Sequence, residues 1–199
     1  MSKTVQIANK TIGENQNCFI TAEVGINHNG SLDLAKKLID IAVATGCDAV
    51  KFQKRTVDVV YTKEELEKER ESVFGITNGD LKRGLEFGLE EYKEIDNYCK
   101  KKGIIWYASC WDKGSVDFIE QFNPPCYKIA SASLTDDELL KYTKSKGKPI
   151  FLATGMSTVE QIDHAVEILG TDNLVIYHCT STYPTDNTEI NLRVIPFLK

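Results

Sequence analysis

Six short apolar runs, alternating with amphipathic stretches of helical period, constrain this chain more than any other feature of its sequence. The runs are Cys18–Val24, Ala49–Phe52, Ile104–Ser109, Cys126–Ile129, Ile150–Ala153 and Leu174–Cys179. They are rich in β-formers and do not alternate polar with apolar, the pattern of strands buried on both faces. Between them, Leu32, Ala35, Leu38, Ile39 and Ala42 share one helical face, and so do Tyr92, Ile95 and Cys99. Val116 with Ile119, then Leu139, Leu140 and Thr143, then Ile162, Ala165, Val166 and Leu169 repeat the pattern. Ser31 and Thr158 suit helix N-caps, and Thr135 precedes the acidic Asp136-Asp137-Glu138. Gly46, Gly103, Gly147 and Gly170 stand where helices should end. Strand–helix–strand repetition predicts parallel strands joined by right-handed crossovers.

The last four runs begin at Ile104, Cys126, Ile150 and Leu174, separations of 22, 24 and 24 residues. Such regularity favours a barrel over an open doubly wound sheet. The predicted class is α/β, a (β/α)8 barrel of TIM type over residues 1–199, truncated after about six βα units. A closed barrel takes eight strands, so the open edge calls for completion. Thr4–Ile12 predicts a hairpin about Asn9-Lys10 that plugs the barrel floor. Glu64–Glu71 predicts a short solvated helix inside the long connection Tyr61–Gly88, which reads as a lid or a disordered loop. Leu192–Lys199 reads as the start of a sixth helix.

At 42% hydrophobic and 27% charged residues, the chain has enough apolar material for a core. Its net charge of −5, with no basic run, argues against nucleic acid. A few lysines aimed at one point still suit a small anion. The opening Met-Ser-Lys-Thr-Val-Gln lacks the apolar core of a signal peptide, and no apolar stretch approaches the ~18 residues that span a bilayer. None of the six cysteines forms a Cys-x-x-Cys pair, which argues against zinc-ribbon and thioredoxin-type readings; four sit inside or beside apolar runs as small hydrophobes, which predicts reduced thiols in a cytoplasmic protein.

Barrel active sites gather at the C-terminal ends of the strands. Those ends carry Glu23 and Asn27-His28-Asn29-Gly30; Lys51 and Gln53; Ser109 and Asp112; Lys128, Ser131 and Ser133; Thr154-Gly155-Met156-Ser157; and His178, Thr180, Ser181 and Tyr183. Two lysines among hydroxyls suit a phosphate or carboxylate, and Glu23 is placed to carry a proton. Each also has a plainer reading. Lys51 and Lys128 read as snorkelling surface lysines, Glu23 as the salt-bridge partner of one of them. His178 reads equally as a core histidine, His28 as turn chemistry, His164 as surface, and Tyr183-Pro184 as a device of chain direction.

Six motifs in order make the chain similar to the sialic acid synthases. They are Ala-Glu-Val-Gly-Ile-Asn-His-Asn-Gly at 22–30, Val-Lys-Phe-Gln-Lys at 50–54, Ala-Ser-Cys-Trp-Asp at 108–112, Tyr-Lys-Ile-Ala-Ser at 127–131, Thr-Gly-Met-Ser at 154–157 and His-Cys-Thr-Ser-Thr-Tyr-Pro-Thr at 178–185. The resemblance implies condensation of phosphoenolpyruvate with an open-chain N-acylated amino sugar, such as N-acetylmannosamine, to a sialic acid-type nonulosonate and phosphate. It implies that Lys51, Ser109, Lys128 and Ser131 bind phosphoenolpyruvate, with Gln53 beside them. Glu23 and Tyr183 would contact the sugar or act in catalysis. Ser181 replaces an asparagine that contacts the sugar in some members.

The chain departs from the family at Ala153, where many relatives carry a phosphate-binding serine, and at Ser133, where several carry an acid. The resemblance also implies a divalent metal, manganese or magnesium, whose two histidine ligands would lie beyond this chain. It further implies an antifreeze-like C-terminal domain, absent here, and a homodimer or a complementing chain. Two other readings stand beside the synthase. One is a Schiff-base aldolase using Lys128 or Lys51; the other is an inactive or split barrel that binds an anion or a partner chain.

Overall fold

The structure, a computed structural model, describes residues 4–198. The opening residues 1–3 of the leader reading and the last residue of the expected final helix, 199, lie outside the described residues. Two compact units form, Cys18–Pro125 and the combination of Met1–Asn17 with Cys126–Lys199.

The first elements are β1 (Thr4–Ile7) and β2 (Lys10–Gly13), antiparallel from Thr4↔Gly13 to Ile7↔Lys10. The expected hairpin is present, but its turn is Ala8-Asn9, with Ala8 at φ 50, because Lys10 already belongs to the ladder. A two-residue turn with positive φ matches the twist of paired strands.

The Cys18–Pro125 unit begins with β3 (Thr21–Gly25), α1 (Leu32–Ala44) and β4 (Ala49–Lys54). Ser31 caps α1 by accepting from the Leu34 N–H, and the helix buries Ala35, Ile39 and Ala42, as its periodicity predicts. Next come α2 (Val57–Val60), α3 (Lys63–Glu67), β5 (Glu69–Ser72), β6 (Gly75–Thr77) and α4 (Asn78–Gly84). The long connection is therefore folded and is not a disordered loop. The single helix expected over Glu64–Glu71 ends at Glu67, because Lys68 turns out of helical geometry and residues 69–72 pair with β6. The unit closes with α5 (Leu89–Lys102), β7 (Ile105–Cys110) and α6 (Lys113–Glu120). Gly103 ends α5 in the left-handed region at φ 69, a conformation that only glycine takes at little cost.

In this unit β4 lies between β3 and β7, all parallel. The register sets Glu23 opposite Lys51 and Gln53 opposite Ser109. Val50, Phe52, Ile39, Ile95, Tyr107 and Ile119 are fully buried and form its core.

The other unit continues with β8 (Tyr127–Ile129), α7 (Asp137–Lys144), β9 (Ile150–Ala153), α8 (Val159–Leu169), β10 (Leu174–Tyr177) and the single turn α9 (Val194–Phe197). Strand β9 lies between β8 and β10, again parallel. Ile129, Leu140, Leu152, Ile162 and Ala165 pack as its core. Thr158 and Gln161 form a capping box on α8, while Asp136 rather than Thr135 caps α7. The fold is thus α/β with parallel strands, as the alternation predicts. No helix among the described residues is long and apolar enough to cross a membrane.

Candidate functional site

The parallel register of β3, β4 and β7 brings one charged cluster together. Lys51 is only 5% exposed, and its ammonium lies 2.5 Å from Glu23 Oε2 and donates to Ser109 Oγ at 3.3 Å. The ion pair is asymmetric: the Lys51 side chain is 6% exposed and that of Glu23 52%. A β-bulge at Glu23/Gly25 bends the strand end, and Gly25 takes φ +52. A Cβ there would stand 2.7 Å from Glu23 Oε1 and 3.2 Å from Gln53 Nε2, so those two side chains close over the space that glycine leaves. Glu23, Lys51, Gln53 and Ser109 are therefore neighbours, as expected. The plainer reading of Glu23 as a salt-bridge partner is also realised.

Behind this cluster stands a second layer that the sequence did not reveal. Arg55, 6% exposed, donates from Nη2 to Gln53 Oε1 and from Nη1 to Tyr61 Oη at 2.6 Å. Its Nε lies 2.8 Å from Glu86 Oε1, a charge contact rather than an aligned hydrogen bond. Lys54 reaches the same carboxylate at 3.3 Å and the Phe87 carbonyl at 2.8 Å. Burial pushes the Glu86 carboxyl above its ordinary range, and Lys54 and Arg55 oppose that rise. Asp112 caps α6 and accepts from Ser115 N, Ser115 Oγ, Thr56 N and Thr56 Oγ1, at 2.5–3.0 Å. Burial raises its pKa, but those bonds outweigh it and leave the carboxyl below its usual range. Asp112 is thus a structural clasp between the β4 end and α6. An acid at the start of a helical period signals such a cap, whereas Glu86 in an aperiodic connection gives no signal.

His28 is buried, stacked on Phe87 with centroids 4.0 Å apart, and accepts from the Gly30 N–H at 3.1 Å. Burial pushes its pKa down to about 4, against an opposing bond to Gly25. The turn reading fits, with burial added.

In the other unit, Ser131 Oγ accepts from the Gly155 N–H at 3.0 Å. A Cβ on Gly155 would meet Ser181 Oγ at 2.3 Å and Ser131 Oγ at 2.9 Å, so both hydroxyls crowd the same glycine. Lys128 places its ammonium 5.9 Å from the Tyr177 ring centroid, and Tyr177 stacks on Phe151 at 5.0 Å. Ser133 and Ala153 are buried. Tyr183 is the exception: it is 95% exposed and does not join this cluster. His164 is on the surface, 3.0 Å from Asp137. His178 lines a cavity of about 510 Å³ together with the β1–β2 hairpin and β10, and neither Ser131 nor Gly155 reaches it. Among the described residues, no three His, Cys, Asp or Glu side chains meet as a metal cage. The residues present do not fit the divalent ion that the resemblance implies. All six cysteines are free thiols.

Residues 38–199 match the NeuB family. The chain is 35% identical over 188 residues to human N-acetylneuraminate-9-phosphate synthase, covering 92% of this chain and 52% of that protein. It is 32% identical over 199 residues to N,N'-diacetyllegionaminic acid synthase of Legionella pneumophila, covering 95% of this chain and 56% of that one. A solved N-acetylneuraminic acid synthetase from Leptospira borgpetersenii superposes with a TM-score of 0.88 at 27% identity, over 100% of this chain and 66% of that one. The chain spans about half the length of the curated relatives it matches.

Proposed function

The chain belongs to the NeuB family of sialic acid synthases, and from that premise we propose that it serves the condensation of phosphoenolpyruvate with an N-acylated amino sugar of the N-acetylmannosamine type. Carbon 3 of phosphoenolpyruvate attacks the sugar aldehyde, water adds at carbon 2, and phosphate leaves. The fold reading that accompanies this is a (β/α)8 barrel of TIM type, supported by the likeness to the Leptospira synthetase. The free thiols fit the cytoplasm.

The observation that carries the reading is the buried ammonium of Lys51 held between Glu23 and Ser109. A charge so far from water needs a negative partner, and a preorganised cation with a hydroxyl beside it is what a carboxylate or phosphate oxygen requires. Glu23, half in solvent, is the group able to move a proton at the sugar. The test is phosphate release from phosphoenolpyruvate with N-acetylmannosamine and Mn²⁺, with particle size followed by light scattering. Release that depends on the sugar supports the reading. Borohydride trapping of a lysine by a carbonyl substrate, without phosphate release, overturns it in favour of the aldolase.

A further inference from the structure

We propose that Arg55 is a positioning residue that locks the Gln53 amide in one orientation, so that Gln53 offers its NH₂ group and withholds its carbonyl oxygen on the side facing Glu23. The oxygen and nitrogen of a glutamine amide have nearly the same shape, and only their partners decide which points where. A guanidinium carries donors and no acceptor. Arg55 Nη2 therefore claims Oε1 of Gln53 and turns Nε2 toward the space over Gly25, where Glu23 Oε1 also stands.

The guanidinium has little freedom to release that oxygen. Its other end is held by Tyr61 Oη at 2.6 Å and by the Glu86 carboxylate at 2.8 Å. Its carbon lies 4.9 Å from the centroid of the Trp111 ring. Glu86 is itself fixed by Lys54, and Tyr92 donates to the Gln53 main-chain carbonyl at 3.0 Å, which pins the strand beneath. Five groups from the segment 54–111, Lys54, Tyr61, Glu86, Tyr92 and Trp111, thus converge on the direction of one amide. The consequence is chemical: a ligand that meets Gln53 must bring an oxygen lone pair.

The proposal rests on the proposed function only for which ligand that is, so its test has an arm without turnover. The side-chain amide of Gln53 is followed by ¹H–¹⁵N spectroscopy of the 199-residue chain, assigned by its loss in Gln53→Met. Donation to the carbonyl oxygen strengthens amide resonance and slows C–N rotation. Every glutamine amide gives two resolved proton signals, because the barrier to C–N rotation is high; the wild-type pair is expected to lie away from the shifts of a free glutamine, and in Arg55→Lys to move toward them while the Trp106 indole signal stays put. A wild-type pair already at the shifts of a free glutamine overturns the proposal without any variant, as does a pair unmoved by Arg55→Lys. In the phosphate-release assay, Arg55→Lys lowers kcat/KM about tenfold, and Gln53→Glu, which keeps the Arg55 contact but loses the donor, lowers it at least as far. A fully active Gln53→Glu overturns the proposal. Absence of phosphate release from the wild type with any N-acyl amino sugar overturns the functional reading instead, and leaves the amide spectrum to decide the role of Arg55.

Discussion

Replacing Gly155 by alanine puts one methyl group where two hydroxyls already stand. The new Cβ would lie 2.3 Å from Ser181 Oγ, 2.9 Å from Ser131 Oγ and 3.3 Å from the Cys179 carbonyl, all inside the contact distance of about 3.5 Å at which attraction gives way to repulsion. Rotating Ser131 away breaks its bond from the Gly155 N–H, worth about 1 kcal/mol. Residual overpacking costs about 1–3 kcal/mol, and the stiffer unfolded chain returns about 0.4–1 kcal/mol. The net loss is about 2 kcal/mol, a fall of roughly 4–8 °C in Tm for a chain of this length. Phosphoenolpyruvate binding, followed by calorimetry, should weaken in parallel because Ser131 has moved. Adding Ser181→Ala removes the shortest contact and should recover about half of the lost stability, a coupling that a double-mutant cycle reads directly. A Gly155→Ala protein with wild-type Tm and wild-type affinity, or a double variant with no recovery, refutes the placement of these hydroxyls.

Three further outcomes follow from single side chains. His28 is kept neutral by burial, with a folded pKa of about 4 against 6.5; its contribution is complete above pH ~6.5 and is lost as pH falls to about 4, roughly 3 kcal/mol in all, so urea unfolding of His28→Gln should show a flatter acid limb than wild type. Asp112→Ala removes a helix cap and four bonds to a carboxylate, and should cost about 2–4 kcal/mol. Because its folded pKa is depressed, that stability is present above the ordinary carboxylate range and disappears as acid protonates the folded form, which the same titration measures. Lys51→Met replaces a buried ammonium with an apolar chain of similar length and frees a carboxylate already half in water. Its stability should hold or rise by about 1 kcal/mol, read as an unchanged or higher Tm, while phosphoenolpyruvate binding disappears; a large loss of stability would show Lys51 to be structural.

What was legible in the sequence was whatever repeats or sits at a strand end. The six runs became the parallel strands β3, β4, β7, β8, β9 and β10, because continuous burial leaves a continuous apolar record. Reading the last residues of those runs found Lys51, Gln53 and Ser109, since parallel register aligns strand ends by construction. Interactions that depend on the path of the long connection left no such record. Glu86 sits outside any periodic segment, yet it balances both Lys54 and Arg55. Arg55 lies two residues beyond Gln53, where strand alternation could have flagged a shared face, but nothing in the sequence supplied its partner. The hairpin β5–β6 hid behind a run of charge that suits a solvated helix, and a turn at Val73-Phe74 decided otherwise. At Tyr183 the motif is in place and the side chain stands in solvent, an exposure that sequence pattern alone does not reveal.

The exposure difference across the Lys51–Glu23 pair leads to a test that separates binding from turnover. The ammonium cannot be left alone, because it is 5% exposed; the carboxylate can, because half of its side chain already meets water. The anion proposed to bind at Lys51 would therefore exchange with Glu23 and not add to it, so that Glu23 would compete with phosphoenolpyruvate. Pairs with one exposed partner are worth about 0.2–1 kcal/mol, so Glu23→Gln should tighten phosphoenolpyruvate binding by up to about fivefold. The same change lowers the stability of the unliganded protein, since the buried ammonium keeps only Ser109. Turnover should fall by about 10²–10⁴, the range expected when a positioned acid or base is lost. Calorimetric titration of phosphoenolpyruvate, set beside phosphate release, reads both effects on one preparation. Binding that weakens as much as turnover would mean that Glu23 holds the ligand as well as Lys51, and the exchange argument would be wrong.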